Sequence, residues 1–240
     1  MIWVHGGGWQ DGSKDQCLPL RLGFTARGYA VASLNYRLSG HAIFPAQIED
    51  CQAAVRWLRD HAKDYGLDPD RFAAWGASAG GHLVALLGTA GDTTEFAPTP
   101  TPNTSARVQA VCDFYGPTDL LKFVATPGYT SHANPGSPES KLLGGPVLDV
   151  PAQAIRANPL TYLSAGDPPF LILHGSADPT VPPQQSELLH AALRAAGVAS
   201  THRALVGAKH GGPEFSTPAV ADEVDAFLRR ALRLPPASKP

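Results

Sequence analysis

One serine in this chain sits where a nucleophile needs to sit. Gly76-Ala77-Ser78-Ala79-Gly80 places Ser78 between a hydrophobic run, RFAAW, and a helix-forming run, GHLVALLG. A strand–turn–helix elbow of this kind forces its serine into a strained backbone conformation and projects Oγ out of the turn. Strand and helix pass so closely there that positions two before and two after the serine tolerate little bulk. Gly76 and Gly80 meet that need, and the N-terminus of the helix favours developing negative charge. A serine hydroxyl near neutral pH needs a histidine to take its proton, and that histidine needs an acceptor to fix its tautomer. In elbow proteins the chain order is serine, acid, histidine. Asp178, in His174-Gly175-Ser176-Ala177-Asp178-Pro179, follows the apolar run FLIL, and His210, in Lys209-His210-Gly211-Gly212, follows THRALV. These two complete the candidate catalytic set. Asp167 precedes a strand rather than following one, His82 is expected to pack or cap inside the elbow helix, and His174 is expected to make turn hydrogen bonds. Lys209 is expected to be solvated.

A tetrahedral intermediate also needs N–H donors aimed at its oxygen. His5-Gly6-Gly7-Gly8-Trp9 follows the short apolar run Ile2–Val4 and offers consecutive amides without obstructing side chains. The candidate oxyanion donors are Gly7, Gly8 and Ala79, with Trp9 an alternative to one of the glycines. His5 is expected to be structural, and Trp9 is either a pocket wall or plain core.

These residues need a frame. Strand and helix patterns alternate from the first residue: a strand at 2–4, a helix over roughly 17–27, a buried strand at 29–35, and an amphipathic helix from Pro45 to about Tyr65, closed by Gly66. A strand at 71–75 runs into the elbow and a helix continues over 81–88. Residues 91–105 are polar and Pro-rich and read as a surface excursion. After a strand at 108–115, residues 116–168 carry many Pro and Gly and little periodicity, which predicts a cap or insertion over a site. Tyr115, Phe123, Tyr129 and Tyr162 are its candidate walls, though scattered aromatics are more often core. Strands at 170–173 and 200–206, and helices at 184–196 and 217–232, complete the pattern, and residues 235–240 are expected to fray. The expectation is one domain over 1–240, a mostly parallel sheet with helices on both faces, and a ligand at the carboxyl ends of the strands.

Composition narrows the function. The 240 residues are 43% hydrophobic and 17% charged, with a net charge of -2, which is globular rather than disordered. The 19 Lys and Arg are scattered, so no basic face invites nucleic acid. No apolar run is long enough to cross a bilayer. Cys17, Cys51 and Cys112 show no metal or redox spacing and read as small apolar fillers. The histidines contain no H-x-x-x-H pair, so a metal hydrolase has no support. Met1 leads straight into Ile2 without a signal peptide, and the expected compartment is the cytoplasm.

The combination of HGGGW, GASAGGHL, DFYGPTDL, HGSADPTVP and GAKHGG resembles bacterial α/β-hydrolase carboxylesterases near the hormone-sensitive-lipase group, in the branch of feruloyl and acetylxylan esterases. The likeness runs from Trp3 to about Leu232. It implies an α/β-hydrolase fold and cleavage of short acyl or hydroxycinnamoyl groups from alcohols and sugars, without metal or organic cofactor. It carries the triad to Ser78, Asp178 and His210 and the oxyanion loop to Gly7, Gly8 and Ala79. Such relatives usually have two further strands before the HGGG strand, and here the first two strands are missing: either the coding start lies upstream of Met1, or the protein lacks that edge. In the second case the strand at 29–35 is an exposed edge, and a homo-oligomer is expected.

Together these patterns read as a serine hydrolase acting on a small-molecule ester, with no nucleic-acid or membrane partner. Two alternatives stand beside it: an amidase or peptidase on the same triad, and a catalytically silent binding protein on the same scaffold.

Overall fold

The computed structural model describes residues 1–91, 93–98 and 102–235. Six strands form one sheet: β1 (Ile2–Val4), β2 (Ala32–Leu34), β3 (Ala73–Ala77), β4 (Ala110–Phe114), β5 (Phe170–Gly175) and β6 (Ser200–Leu205). Their order is β2-β1-β3-β4-β5-β6, and every neighbouring pair is parallel. Parallel neighbours require crossover connections, which put helices on both faces.

The alternation of side chains along each strand divides the interior into two cores. Ile2, Val4, Ala74, Val111, Phe170 and Ile172 point to one face. There they meet α2 (Ala46–Asp60), α3 (Ala79–Ala90) and α7 (Gln184–Ala195) through residues such as Ile48, Val55, Leu83 and Leu189. Trp3, Trp75, Cys112, Phe114 and Leu173 point to the other face, against α1 (Leu18–Arg21) and α8 (Pro218–Ala231). Every residue of α3 is buried, as befits a helix apolar on all sides. All three cysteines are free and buried.

Several elements are shorter or longer than their patterns suggest. The helix expected over 17–27 is only Leu18–Arg21, because a tight series of turns takes the chain through Gly23 to Gly28, both at positive φ. The strand expected over 29–35 is reduced to the three residues of β2, at the sheet edge. The long helix stops at Asp60, and turns carry the chain to Gly66. The elbow helix begins at Ala79 rather than 81. The stretch 91–105 is not wholly superficial: Phe96 is buried against Phe44 and Tyr162, with ring centroids 5.6 and 5.3 Å apart. Positions 92 and 99–101 of that stretch, and 236–240 of the tail expected to fray, lie outside the described residues.

The segment 116–168 is also more regular than it reads. It folds into α4 (Leu120–Ala125), α5 (Pro138–Leu143), α6 (Pro151–Arg156) and 3₁₀ turns at Thr130–Ala133 and Pro159–Tyr162. These helices are too short for a period to register. Local caps start several of them: Asp119, Ser137 and Asn158 each accept a backbone N–H of the turn that follows. No helix among the described residues is long and apolar enough to cross a membrane.

Candidate active site

The sheet order reverses between β1 and β3, which opens a crevice at the carboxyl ends of these strands. The loop after β1 supplies Gly6 to Trp9, and the turn after β3 supplies Ser78. β4 leads into Tyr115, and the loops after β5 and β6 supply Asp178 and His210. All these positions except Asp178 face one cavity of about 790 Å³.

Ser78 has φ 57° and ψ -123°, a strained conformation for a residue with a side chain. The strain is held by backbone bonds on both sides: Ser78 N donates to Phe114 O (2.9 Å), and His82 N donates to Ser78 O (3.1 Å). The elbow is as tight as its glycines imply. A Cβ on Gly76 would stand 2.2 Å from Gly80 O, and one on Gly80 would stand 2.1 Å from Val4 O.

The loops after β5 and β6 are laced together. Ala177 N donates to Ala208 O (3.0 Å), Ser176 N donates to Leu205 O (3.0 Å), and Gly207 N donates to Ser176 Oγ (2.9 Å). His210 reaches between Asp178 and Ser78 as a result. Its Nδ1 donates to Asp178 Oδ2 at 2.7 Å, and its Nε2 accepts from Ser78 Oγ at 2.8 Å. The carboxylate can only accept, so it selects the tautomer that leaves Nε2 free to take a proton.

Asp178 is held by more than His210. Its Oδ1 accepts the amides of Thr180 (2.8 Å) and Val181 (3.0 Å), while Oδ2 also lies 3.1 Å from His174 Nε2. Burial alone pushes this carboxyl up. The hydrogen bonds from His174, His210 and Val181 outweigh that and hold it well below the usual carboxylate range. His174 makes the turn bonds expected of it, to Val181 O (3.0 Å) and Ser186 Oγ (2.7 Å). Its contact with Asp178 goes beyond that expectation; the only signal in the sequence is the spacing of four residues between the two. Tyr129, one of the candidate walls, donates its hydroxyl to the Asp178 carbonyl. Tyr115, at φ 45°, sets its ring edge-on to His210 with centroids 4.8 Å apart and braces it from behind with Phe215. Phe123 is core, and Tyr162 bonds Arg156 O away from the cavity.

The glycine loop turns sharply through three consecutive positive φ values: Gly7 at 110°, Gly8 at 57° and Trp9 at 56°. Gly7 O accepts from Gln10 N (3.1 Å) and Asp11 N (3.0 Å), so its carbonyl is committed to the turn. Gly7, Gly8 and Ala79 line the cavity beside Ser78. Trp9 is both wall and core. It lines the cavity, yet it is buried and its Nε1 donates to His82 Nδ1 at 3.2 Å. His82 passes the connection on by donating Nε2–H to Ala157 O (2.6 Å), and burial lowers its pKa to about 4. A neutral imidazole thus ties the glycine loop to the segment 116–168. His5 is structural in the same sense, stacked on Tyr36 at 4.3 Å, and Lys209 is exposed.

The BD-FAE family model matches residues 1–193. Esterase LipQ of Mycobacterium tuberculosis (strain ATCC 25618 / H37Rv) is 33% identical over 99% of this chain, which spans only 60% of that protein's length. Among solved structures, a truncated carbohydrate esterase from gut microbiota superposes with a TM-score of 0.83 and 28% identity, covering 97% of this chain and 85% of its own. The propionate-bound Est2 esterase of the Planctomycetes species Thermogutta terrifontis gives a TM-score of 0.80 and 28% identity, covering 99% and 85%. The fold is that of the α/β-hydrolases, and with most of its length under one family model the chain belongs to the BD-FAE family.

Proposed function

We propose that the chain is a serine hydrolase that cleaves small carboxylic esters through Ser78, His210 and Asp178. One observation carries the reading: an unbroken set of hydrogen bonds from Ser78 Oγ through His210 to Asp178, of 2.8 and 2.7 Å, opening on a cavity of about 790 Å³. Ser78 Oγ attacks the ester carbonyl carbon while its proton passes to His210 Nε2. The carbonyl oxygen becomes an oxyanion, received by the amides of Gly7, Gly8 and Ala79. Collapse breaks the bond to the alcohol oxygen, which takes the proton from His210 and leaves an acyl-Ser78 ester. Water then repeats the sequence, giving its proton to His210 and releasing the acid and a free Ser78. The BD-FAE relationship supports the bond type, and the propionate held by the T. terrifontis esterase supports a short acyl group.

The test is hydrolysis of p-nitrophenyl acetate, butyrate and octanoate by the chain and by Ser78→Ala. We expect activity that falls with acyl length, and a loss of about four to six orders of magnitude in the variant, because triad members act as a unit. Equal turnover by the variant overturns the reading. Faster turnover of matched anilides than of esters replaces it with an amidase.

A further inference from the structure

A second histidine–carboxylate pair faces the same cavity as Ser78. His132 and Glu139 both line it, and His132 Nδ1 lies 3.0 Å from Glu139 Oε2. Neither belongs to the serine–histidine–acid set. Glu139 is only 4% exposed, the position of a charged group that something must compensate. His132 supplies that compensation, and Glu139 in turn raises the pKa of His132.

The pair is rigidly mounted. The His132 ring packs on Phe123 with centroids 4.7 Å apart, and the His132 carbonyl accepts from Ser137 Oγ at 2.7 Å. Glu139 is fixed at the start of α5, whose cap Ser137 also bonds Ser140 N (3.1 Å). Pro138, the residue before it, abuts the oxyanion loop: a Cβ on Gly8 would lie 3.0 Å from Pro138 Cβ. Three residues before His132, Tyr129 bonds the carbonyl of Asp178. The pair thus bridges the two halves of the site, from the Gly8 side to the Asp178 side.

What the mounting leaves over is specific. Glu139 Oε1 and His132 Nε2 have no hydrogen-bond partner among the described residues, and neither is among the fully enclosed polar atoms that lack one. Both therefore keep some solvent exposure, on residues that line the cavity. One is an acceptor only; the other accepts when His132 is neutral and donates when it is charged. A cation in the cavity would meet the imidazolium, and an anion would meet the carboxylate. A hydroxyl group, donor and acceptor at once, can answer both atoms without net charge.

We propose that His132 and Glu139 form a hydroxyl-recognising subsite of the cleft, which selects esters bearing a free hydroxyl near the scissile bond. The inference rests on the ester-hydrolase reading and adds the substrate feature and the residues that read it. A site built to bond a hydroxyl discriminates against the analogue lacking it, because its own polar groups then lose their partners.

The experiment compares kcat/KM for matched esters in two arms. Glyceryl monoacetate against propyl acetate places the hydroxyls on the alcohol, and ethyl 3-hydroxybutyrate against ethyl butyrate places one on the acyl group. We expect a preference of about ten- to a hundredfold for the hydroxylated member in one arm, which identifies the side that is read. In Glu139→Gln and, independently, His132→Phe, that ratio should collapse toward one. No preference in either arm overturns the subsite while hydrolysis of the plain esters leaves the ester-hydrolase reading standing. A proportional fall for both members, with the ratio kept, assigns the pair a structural role and also overturns the proposal. Failure to cleave any ester removes the parent reading and the subsite with it.

Discussion

His174 Nε2 lies 3.1 Å from Asp178 Oδ2, the same carboxylate oxygen that accepts His210 Nδ1 at 2.7 Å. Two imidazoles thus share one acceptor, one fully buried and one facing the cavity. With the Thr180 and Val181 amides on Oδ1, the Asp178 carboxylate is saturated and cannot rotate away from His210. In the proposed mechanism His174 would act through Asp178, as a positioning residue.

Replacing His174 should therefore weaken catalysis more than substrate binding. For His174→Phe we expect kcat to fall about ten- to a hundredfold with KM little changed, the worth of one hydrogen bond to a charged group. His174→Gln keeps a donor and should restore part of the loss. Steady-state kinetics of both variants make the check. A change confined to KM, or equal damage in both variants, argues against positioning.

Asp113 makes a prediction about pH. It is fully buried under the elbow, where Gly116 N donates to Oδ1 at 2.9 Å while Oδ2 has no partner among the described residues. Burial raises its pKa from 3.8 to about 6, against the pull of the Gly116 amide and His174. The unfolded chain ionises this group at lower pH than the folded chain does. From about pH 4 to about pH 6 the folded state thus holds more protons, and stability falls as pH rises, by up to about 3 kcal/mol. Asp113→Asn should remove this slope, so its stability relative to the parent improves from pH 4 to pH 7. Urea unfolding at both pH values measures it; a pH-independent difference contradicts it.

The elbow admits no methyl group at Gly80. A Cβ there would stand 2.1 Å from Val4 O and 2.6 Å from His5 O, both main-chain atoms that cannot swing aside. Gly80→Ala should cost about 3 kcal/mol or more and displace the glycine loop that follows β1. Gly40, where an added methyl would meet nothing within 4 Å, is the control. Gly40→Ala should melt within a few degrees of the parent, and thermal unfolding of the two variants separates a packing effect from a general one.

The features legible in the sequence are those that local geometry imposes. The elbow is one, because only small residues survive where β3 and α3 nearly touch, and Gly76, Ala77, Ala79 and Gly80 state that requirement within five positions. The order of Ser78, Asp178 and His210 is another, since each follows a strand whose end must face the crevice. The parallel two-faced sheet follows from runs such as FLIL, buried on both sides. Sequence patterns overstate the first helix and the β2 strand because turn geometry, decided by the backbone at Gly23 and Gly28, outweighs their apolar content.

Tertiary structure alone decided how the segment 116–168 folds and where its side chains arrive. Helices of six residues or fewer carry no readable period, so nothing in that stretch announces where Tyr129, His132 and Glu139 arrive. Their partners are Asp178 in the loop after β5, each other across a turn, and the glycine loop through Pro138. The same holds for His82, which joins Trp9 to Ala157. Contacts between residues far apart in the chain depend on the closure of the whole fold, and a linear pattern has no term for them. The sequence by itself thus determined the candidate reacting groups, and the folded chain determined which distant side chains share their cavity.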